Sequence, residues 1–280
     1  MKDSQKRQAE AFRQRHQARP ILLLPNAWDA MSARIFEAAS FDAIGTTSGG
    51  VAWALGFSDG EKAPWNEVVA ATERIVRTVR LPVTADIEGG YGETPDKVAS
   101  SVAEIIRTGV VGINLEDSTP RADSPMRTID DAVDRIRAAR DAARAAGVPI
   151  VINARVDLYL KHIGDDETRL AETVRRGKAY IAAGADCLFP FGLSDVKTIA
   201  NLVAALKFPI NIVGKAWGPN VSQLEKLGVA RISTASGPSL VAMSMTRQIA
   251  EELRVNGAFE VFETLITRSE AQKLFAERPN

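Results

Sequence analysis

The sequence predicts a closed (β/α)8 barrel, and three observations support that prediction. Short apolar runs alternate eight times with amphipathic stretches, which is the pattern of repeated strand–helix units. The chain has 280 residues and is 45% hydrophobic, so it can bury a large core, and a barrel of this kind commonly uses about 250 residues. The glycine fingerprint of an open dinucleotide-binding sheet does not follow the first apolar run.

The eight units can be placed in order along the chain. Strands are predicted to begin at Ile21, Ala43, Pro82, Gly112, Ile150, Cys187, Ile210 and Ala230. Helices are predicted to begin near Ala30, Pro64, Pro95, Ile129, Asp165, Ser194, Val221 and Ser239. The helix from Ile129 to Ala146 has the clearest pattern, because Val133, Ile136 and Ala139 recur at helical spacing and Gly147 ends it.

Two polar helices are predicted in addition to the barrel, one at residues 3–17 and one at about residues 259–275. Neither a low-complexity segment nor a Pro/Ser-rich linker divides the sequence, so residues 1–280 are expected to form a single domain.

Composition narrows the choice of partners. Thirty-five basic residues balance thirty-five acidic ones, which removes the broad positive field that nucleic acid or an anionic membrane would need. No apolar run reaches transmembrane length and the first 19 residues are polar, so a soluble cytoplasmic protein with a small-molecule substrate is expected. The lone cysteine, Cys187, is expected to pack as a small hydrophobe, and His16 and His162 are expected at the surface.

Polar residues follow several predicted strands, and in a barrel these strand ends meet on one rim, where active sites are built. The candidate site residues are Ser48, Gly49 and Gly50 after strand two, Asp86 and Glu88 after strand three, Glu116 at the end of strand four and Arg155 near the end of strand five. A single acid after a strand is more often a helix cap, a loop salt bridge or a solvated charge. The convergence of several such residues on one rim favours a functional site instead.

The acids predict a divalent cation. Asp86, Glu88, Glu116 and Asp59 would repel one another in one mouth unless a cation or protons were taken up. Oxygen ligands favour Mg²⁺, with Mn²⁺ as the other option, and Mg²⁺ keeps several waters. Direct contact is therefore expected from Asp86, and contact through water from the others.

Two further features each have two interpretations. Arg155 either clamps a substrate carboxylate or phosphonate through its planar fork, or forms a salt bridge with Asp157, Glu116 or Asp117. The stretch Ser48-Gly49-Gly50 either offers N–H donors to an oxyanion from flexible backbone or is a plain turn.

Several ordered motifs resemble the isocitrate lyase and phosphoenolpyruvate mutase superfamily, from about Leu22 through the last barrel helix. They are Pro25-Asn26-Ala27-Trp28-Asp29, Thr47-Ser48-Gly49-Gly50, Gly56-Phe57-Ser58-Asp59-Gly60, Asp86-Ile87-Glu88-Gly89-Gly90-Tyr91-Gly92, Gly112-Ile113-Asn114-Leu115-Glu116-Asp117, Asn153-Ala154-Arg155-Val156-Asp157 and Leu227-Gly228-Val229-Ala230-Arg231-Ile232-Ser233.

The resemblance implies a barrel whose eighth helix swaps between subunits of a dimer or tetramer. It implies Mg²⁺-dependent making or breaking of C–C or P–C bonds in 2-oxo or 2-hydroxy acids. By resemblance, the metal-site acids are Asp59, Asp86, Glu88 and Glu116, the substrate-binding residues are Ser48, Gly49, Gly50, Asp86 and Arg155, and the catalytic residues are Arg155, Glu116 and Asp59.

The chain departs from the family after Asp117. The lyases carry a Lys-Lys-Cys-Gly-His loop there and the mutases a Lys-Thr-Asn loop, whereas residues 118–127 read STPRADSPMR. Because decarboxylation of a β-oxo acid needs no cysteine base, a carbon–carbon lyase in the broad sense is the favoured function. A phosphonomutase is the second possibility, and a catalytically silent metabolite-binding barrel is the third.

Overall fold

The computed structural model describes residues 2–121, 123–263 and 265–276. Its strands are β1 (Leu22–Leu24), β2 (Asn26–Ala27), β3 (Ile44–Thr46), β4 (Val83–Asp86), β5 (Gly112–Glu116), β6 (Val151–Val156), β7 (Cys187–Pro190), β8 (Asn211–Val213) and β9 (Arg231–Ser233). All of their ladders are parallel, and β2 to β7 pair in chain order.

The sheet closes into the predicted barrel. β9 pairs with both β1 and β8, and a parallel bridge between Leu188 and Ile210 connects β7 to β8. Pro25 separates β1 from β2, because proline has no N–H for the ladder. The predicted fold class is therefore confirmed.

The helices are α1 (Lys2–Arg15), α2 (Ala30–Ala38), α3 (Ser48–Ala54), α4 (Trp65–Val76), α5 (Pro95–Arg107), α6 (Ile129–Ala146), α7 (Asp166–Ala183), α8 (Val196–Leu206), α9 (Val221–Lys226), α10 (Gly237–Val255) and α11 (Arg268–Ala276). Side chains that accept from the N3 amide begin most of the barrel helices, as Thr94 does for α5 and Asp165 for α7. Among the described residues, no helix combines the length and hydropathy needed to span a bilayer.

The leading helix α1 covers the amino-terminal end of the barrel. Its Ala9 and Phe12 are buried, and Gln5 donates to the carbonyls of Ile106 and Val110 at 2.8 and 2.9 Å. His16 follows this helix and is only 3% exposed, so the prediction that it lies at the surface was wrong. A polar helix can still bury one narrow stripe of side chains. His16 lies in the turn after the helix and packs against Phe12, which belongs to that stripe. His162 is exposed and Cys187 is buried, as predicted.

The predicted helix at residues 259–275 was wrong in its first half. Glu260–Phe262 form a single 3-10 turn, and α11 begins at Arg268. Thr267 explains the later start, because its hydroxyl accepts from the Glu270 N–H at 3.2 Å and its own N–H donates to the Glu270 carboxylate at 2.8 Å. This reciprocal capping fixes the first turn of α11.

Candidate active site

The carboxyl ends of neighbouring strands bring the predicted site residues to one rim. Asp86 is the last residue of β4 and Glu116 is the last residue of β5. The register pairs Glu116 with Arg155 on β6 and Asp86 with Asn114 on β5. The parallel ladder therefore gathers acids and an arginine from three consecutive strands.

Asp86 is held by the preceding strand but keeps one free oxygen. The backbone N–H of Ser48 donates to its Oδ2 at 3.1 Å, and its own N–H donates to Thr46 Oγ1 at 2.8 Å. Its Oδ1 is buried and has no hydrogen-bond partner among the described residues. The carboxylate is thus fixed in direction, with one acceptor oxygen available to a ligand.

Glu88 is 5% exposed, and both of its carboxylate oxygens accept hydrogen bonds. The Glu61 N–H donates to Oε2 at 2.7 Å and the Tyr91 hydroxyl donates to Oε1 at 3.0 Å, while the Tyr91 N–H donates to Glu61 Oε1 at 2.7 Å. Sequence reasoning missed Glu61 and Tyr91. Their position inside or beside the two motifs that carry Asp59 and Glu88 was the available signal.

The acids share one electrostatic field. Burial, and then the charges of Asp86, Asp59 and Glu116, raise the pKa of Glu88 to about 8. Burial also raises the pKa of Glu116 to about 7 against the opposing charge of Arg155. The pKa of Asp59 is raised by burial and by Asp86. Within the described ranges, however, no three His, Cys, Asp or Glu side chains lie close enough together to form a ready-made metal cage.

Arg155 forms the ion pairs that were one of its two interpretations. Its Nε and Nη2 donate to the two oxygens of Asp157 at 2.6 and 3.0 Å, and its Nη1 lies 2.9 Å from Glu116 Oε2. The guanidinium also stacks 3.9 Å from the centre of the Phe191 ring, a contact that sequence reasoning did not anticipate. A guanidinium has five N–H donors. These acids use three at most, so a substrate carboxylate could take the others.

Asp117, which was a possible partner of Arg155, belongs to a separate buried group. It accepts from Tyr180 Oη at 2.7 Å, from Arg176 Nη1 at 3.0 Å and from the Asp157 N–H at 3.0 Å. The last contact holds the strand end that carries Asp157. Asp117 therefore helps to hold Asp157 in position for its ion pair with Arg155.

Ser48, Gly49 and Gly50 lie in the first turn of α3, not in the flexible backbone or turn that was predicted. A Cβ added at Gly49 would meet Asp59 Oδ2 at 3.2 Å, and one at Gly50 would meet Trp28 Cβ at 2.8 Å. Close packing thus leaves little room for a side chain at either position, which explains why glycine occurs in this helix despite its weak helix propensity. Amides in a first helical turn have no acceptor within the helix, so Gly49 and Gly50 still present donors near Asp59.

The segment after Asp117 folds as a narrow hairpin. Ser118 pairs with Met126 in an antiparallel bridge, and the Ser118 hydroxyl donates to Glu116 Oε1 at 2.7 Å. Arg121 and Asp123 pair with each other at 2.8 Å and are about 70% exposed, whereas Ala122 between them lies outside the described residues. The charges of Arg121 and Asp123 therefore point into solvent.

Comparison with known proteins identifies the family. A family model described as phosphoenolpyruvate phosphomutase matches residues 12–254. The chain belongs to this family, within the isocitrate lyase and phosphoenolpyruvate mutase superfamily. The resemblance seen in the sequence motifs is thereby confirmed.

Three similar proteins show the range of chemistry in the family. An oxaloacetate decarboxylase from Ectopseudomonas mendocina is 31% identical over 82% of this chain and 78% of its own. A protein assigned as a lyase/mutase from Burkholderia cenocepacia J2315 superposes with a TM-score of 0.91, at 35% identity and 98% coverage of both chains. Another, assigned as a phosphonomutase from the same strain, is 45% identical, with a TM-score of 0.83 over 87% of this chain and 99% of that chain. The protein is accordingly an enzyme of the lyase or mutase type.

Proposed function

We propose that the protein is a Mg²⁺-dependent carbon–carbon lyase that acts on a small 2-oxo or 2-hydroxy carboxylate, with oxaloacetate decarboxylation as the first reaction to test. The observation that carries the proposal is the rim itself. Four acids share one field, Asp86 keeps an oxygen that has no partner among the described residues, and Arg155 lies beside them. The 31% identity to an oxaloacetate decarboxylase supports the same choice.

The residues fit a hard divalent cation. The available donors are oxygens, and the Oδ1 of Asp86 is a buried acceptor that a cation would satisfy. Mg²⁺ usually keeps several waters, so a site without three converging acids suits it, and Mn²⁺ would fit the same donors. Asp86 would hold the ion directly, and Asp59, Glu88 and Glu116 would hold it through water.

Each side chain has a proposed role in the reaction. A bound Mg²⁺ would polarise the 2-oxo carbonyl and stabilise the negative charge that develops there. Arg155 would bind a substrate carboxylate through its remaining N–H donors, and the amides of Gly49 and Gly50 would face a substrate oxygen. Asp59 and Glu116 lie at the same rim and would order the waters. In decarboxylation of oxaloacetate, the electrons of the C3–C4 bond move toward the C2 carbonyl as CO₂ leaves. Water then supplies a proton to C3, which gives pyruvate.

A phosphonomutase remains the second candidate because the phosphonomutase-assigned relative is 45% identical. Transfer of a phosphonyl group calls for cations that face the mouth. In the described part of the 118–127 hairpin, Arg121 is paired with Asp123 and Arg127 is paired with Asp131. The exposed pairing of Arg121 favours the lyase.

The test is a parallel assay of oxaloacetate and phosphonopyruvate with Mg²⁺. We expect pyruvate from oxaloacetate, no turnover of phosphonopyruvate, and loss of activity after chelation. Asp86→Asn should lower kcat/KM by about a hundredfold and weaken Mg²⁺ binding in calorimetry. The matched control is Asp96→Asn, an exposed acid in the first turn of α5, which should leave both unchanged. Conversion of phosphonopyruvate to phosphoenolpyruvate instead would establish the mutase, and tight oxalate binding without turnover of either compound would indicate a binding protein.

We also propose that the protein is a homodimer or homotetramer whose subunits exchange α10. This helix buries only Ser239 and leaves several large apolar side chains exposed in the single chain, namely Leu240, Val241, Met243, Met245, Leu253 and Val255. A helix with so much exposed apolar surface is normally covered in solution. A second copy of the chain would cover it.

A further inference from the structure

Arg231 is a cation inside the barrel. It begins β9, its exposure is 0%, and the register places it between Leu22 on β1 and Asn211 on β8. Arginine is almost never fully buried unless it is paired. Its position in the barrel interior therefore needs an explanation.

The guanidinium has few partners. Nη2 donates to Asn114 Oδ1 at 3.3 Å, an oxygen that also accepts from Asn153 Nδ2 at 2.9 Å. Nε and Nη1 contact no hydrogen-bond acceptor in the part of the chain that the structure describes. Burial lowers the pKa of Arg231 to about 10, so the side chain still carries its charge at neutral pH. An unpaired buried charge destabilises a fold, and packing alone would favour an apolar residue here.

The charge of Arg231 lies deeper in the barrel than Glu116, at the level of Asn114. Asn114, which Arg231 contacts, is the register partner of Asp86 and precedes Glu116 by two residues on β5. Asp86 is the neighbour of Asn114 on the adjacent strand, about 4.8 Å away, and Arg231 reaches the same asparagine with its side chain from β9 across the barrel interior. The attraction between Arg231 and Asp86 acts through the weakly polar interior, where charges interact more strongly than in water.

We propose that Arg231 is a positioning residue of the active site that acts through its fixed charge. The charge offsets the mutual repulsion of the acids when the site is empty and attracts an anionic substrate once a metal is bound. The inference rests on the proposed function, because it needs Mg²⁺ and a 2-oxo acid at the rim. Arg231 touches neither of them.

The experiment compares wild-type protein with Arg231→Met, which removes the charge but keeps an unbranched side chain. Calorimetry measures the Kd of Mg²⁺ alone and the Kd of oxalate at saturating Mg²⁺, at one alkaline pH and one ionic strength. Loss of a positive charge should tighten Mg²⁺ by about three- to tenfold and weaken oxalate by a similar factor. Cys187→Ala is the control, because Cys187 is a buried neighbour of Asn153 in the register and is uncharged, so neither Kd should change by more than about twofold.

Tighter binding of Mg²⁺ together with weaker binding of oxalate would identify a charge effect. A purely structural arginine would loosen the site and weaken both ligands together, and that result would overturn the inference, as would two unchanged constants. If Arg231→Met does not fold, Arg231→Gln keeps a donor for Asn114 and should show the same opposite shifts. Failure of both variants to fold would show that the charge serves the core and would also overturn the inference. If wild-type protein binds neither ligand, the proposed function fails first and this inference falls with it.

Discussion

His16 is a neutral histidine buried at the base of the barrel. Its Nδ1 lies 2.8 Å from the Phe12 carbonyl, and its Nε2 is buried without a partner among the described residues. Burial first, and then the charge of Arg231, lowers its pKa to about 3. The Nδ1–H tautomer fits this geometry, because a carbonyl can only accept.

His16 should make the protein sensitive to acid. An unfolded histidine has a pKa near 6.5, whereas the pKa of His16 in the folded chain is about 3. Between these two pH values the histidine is protonated in the unfolded chain and neutral in the folded chain. The contribution of His16 to the free energy of unfolding is therefore present at neutral pH and falls through this window, by about 2 kcal/mol between pH 7 and pH 5.

Urea unfolding of His16→Asn at pH 7 and pH 5 tests this expectation, since asparagine keeps a donor for the Phe12 carbonyl. The variant should lose about 2 kcal/mol less than wild type on acidification. His162→Asn, at the exposed histidine, should follow the wild-type curve. Parallel curves for wild type and His16→Asn would contradict the pKa assigned to His16.

At the scale of elements, one buried arginine on α6 holds the loop that follows β4. Arg135 is 2% exposed, and its Nη1 and Nη2 donate to the carbonyls of Gly92 and Glu93 at 2.7 and 2.6 Å. Its Nε donates to Asp131, which also binds Arg127 at the end of the 118–127 hairpin. α6 thus ties together the two loops that flank Glu88 and Glu116.

Arg135→Met should lower the free energy of unfolding by about 2–4 kcal/mol, because the carbonyls of Gly92 and Glu93 lose a charged donor and Asp131 loses an ion-pair partner. Chemical denaturation measures this value. The matched control is Arg137→Met on the same helix, where the arginine is 61% exposed and pairs with the exposed Asp134, so a change within about 0.5 kcal/mol is expected. Equal losses in the two variants would show that the carbonyl contacts contribute nothing.

The α6 boundaries agree with their prediction, whereas α3 was missed, and the reason is physical. The pattern of α6 is periodic and ends in a glycine with φ of 70°, both of which are local signals. α3 contains Gly49 and Gly50, two residues of weak helix propensity, at positions where Asp59 and Trp28 leave little room for a Cβ. Local propensity therefore predicted a turn where the folded chain has a helix.

At the scale of the whole molecule, the exposed apolar surface of α10 predicts self-association. Val241 and Met243 are 68% and 52% exposed in the single chain. Changing both to aspartate should shift the protein from oligomer to monomer, because a charge buried in an apolar interface without a partner is unfavourable. Light scattering after size-exclusion chromatography measures the mass.

The control for this experiment is Val196→Asp at the start of α8, where valine is 47% exposed. This variant should keep the wild-type mass. A monomeric wild-type protein would remove the proposal of helix exchange while leaving the barrel and its rim unchanged.

The eight strand–helix units, the closed barrel and the rim on which Asp86, Glu88, Glu116 and Arg155 meet could be predicted from the sequence. These features follow from apolar periodicity and from parallel strands that end on one side, which are properties of the chain read in order. The folded chain was needed to show that Arg155 is paired with Asp157 and Glu116, that His16 is buried, and that Arg231 carries its charge into the interior. Those outcomes depend on which distant side chains share a volume, and that is fixed by packing across the barrel.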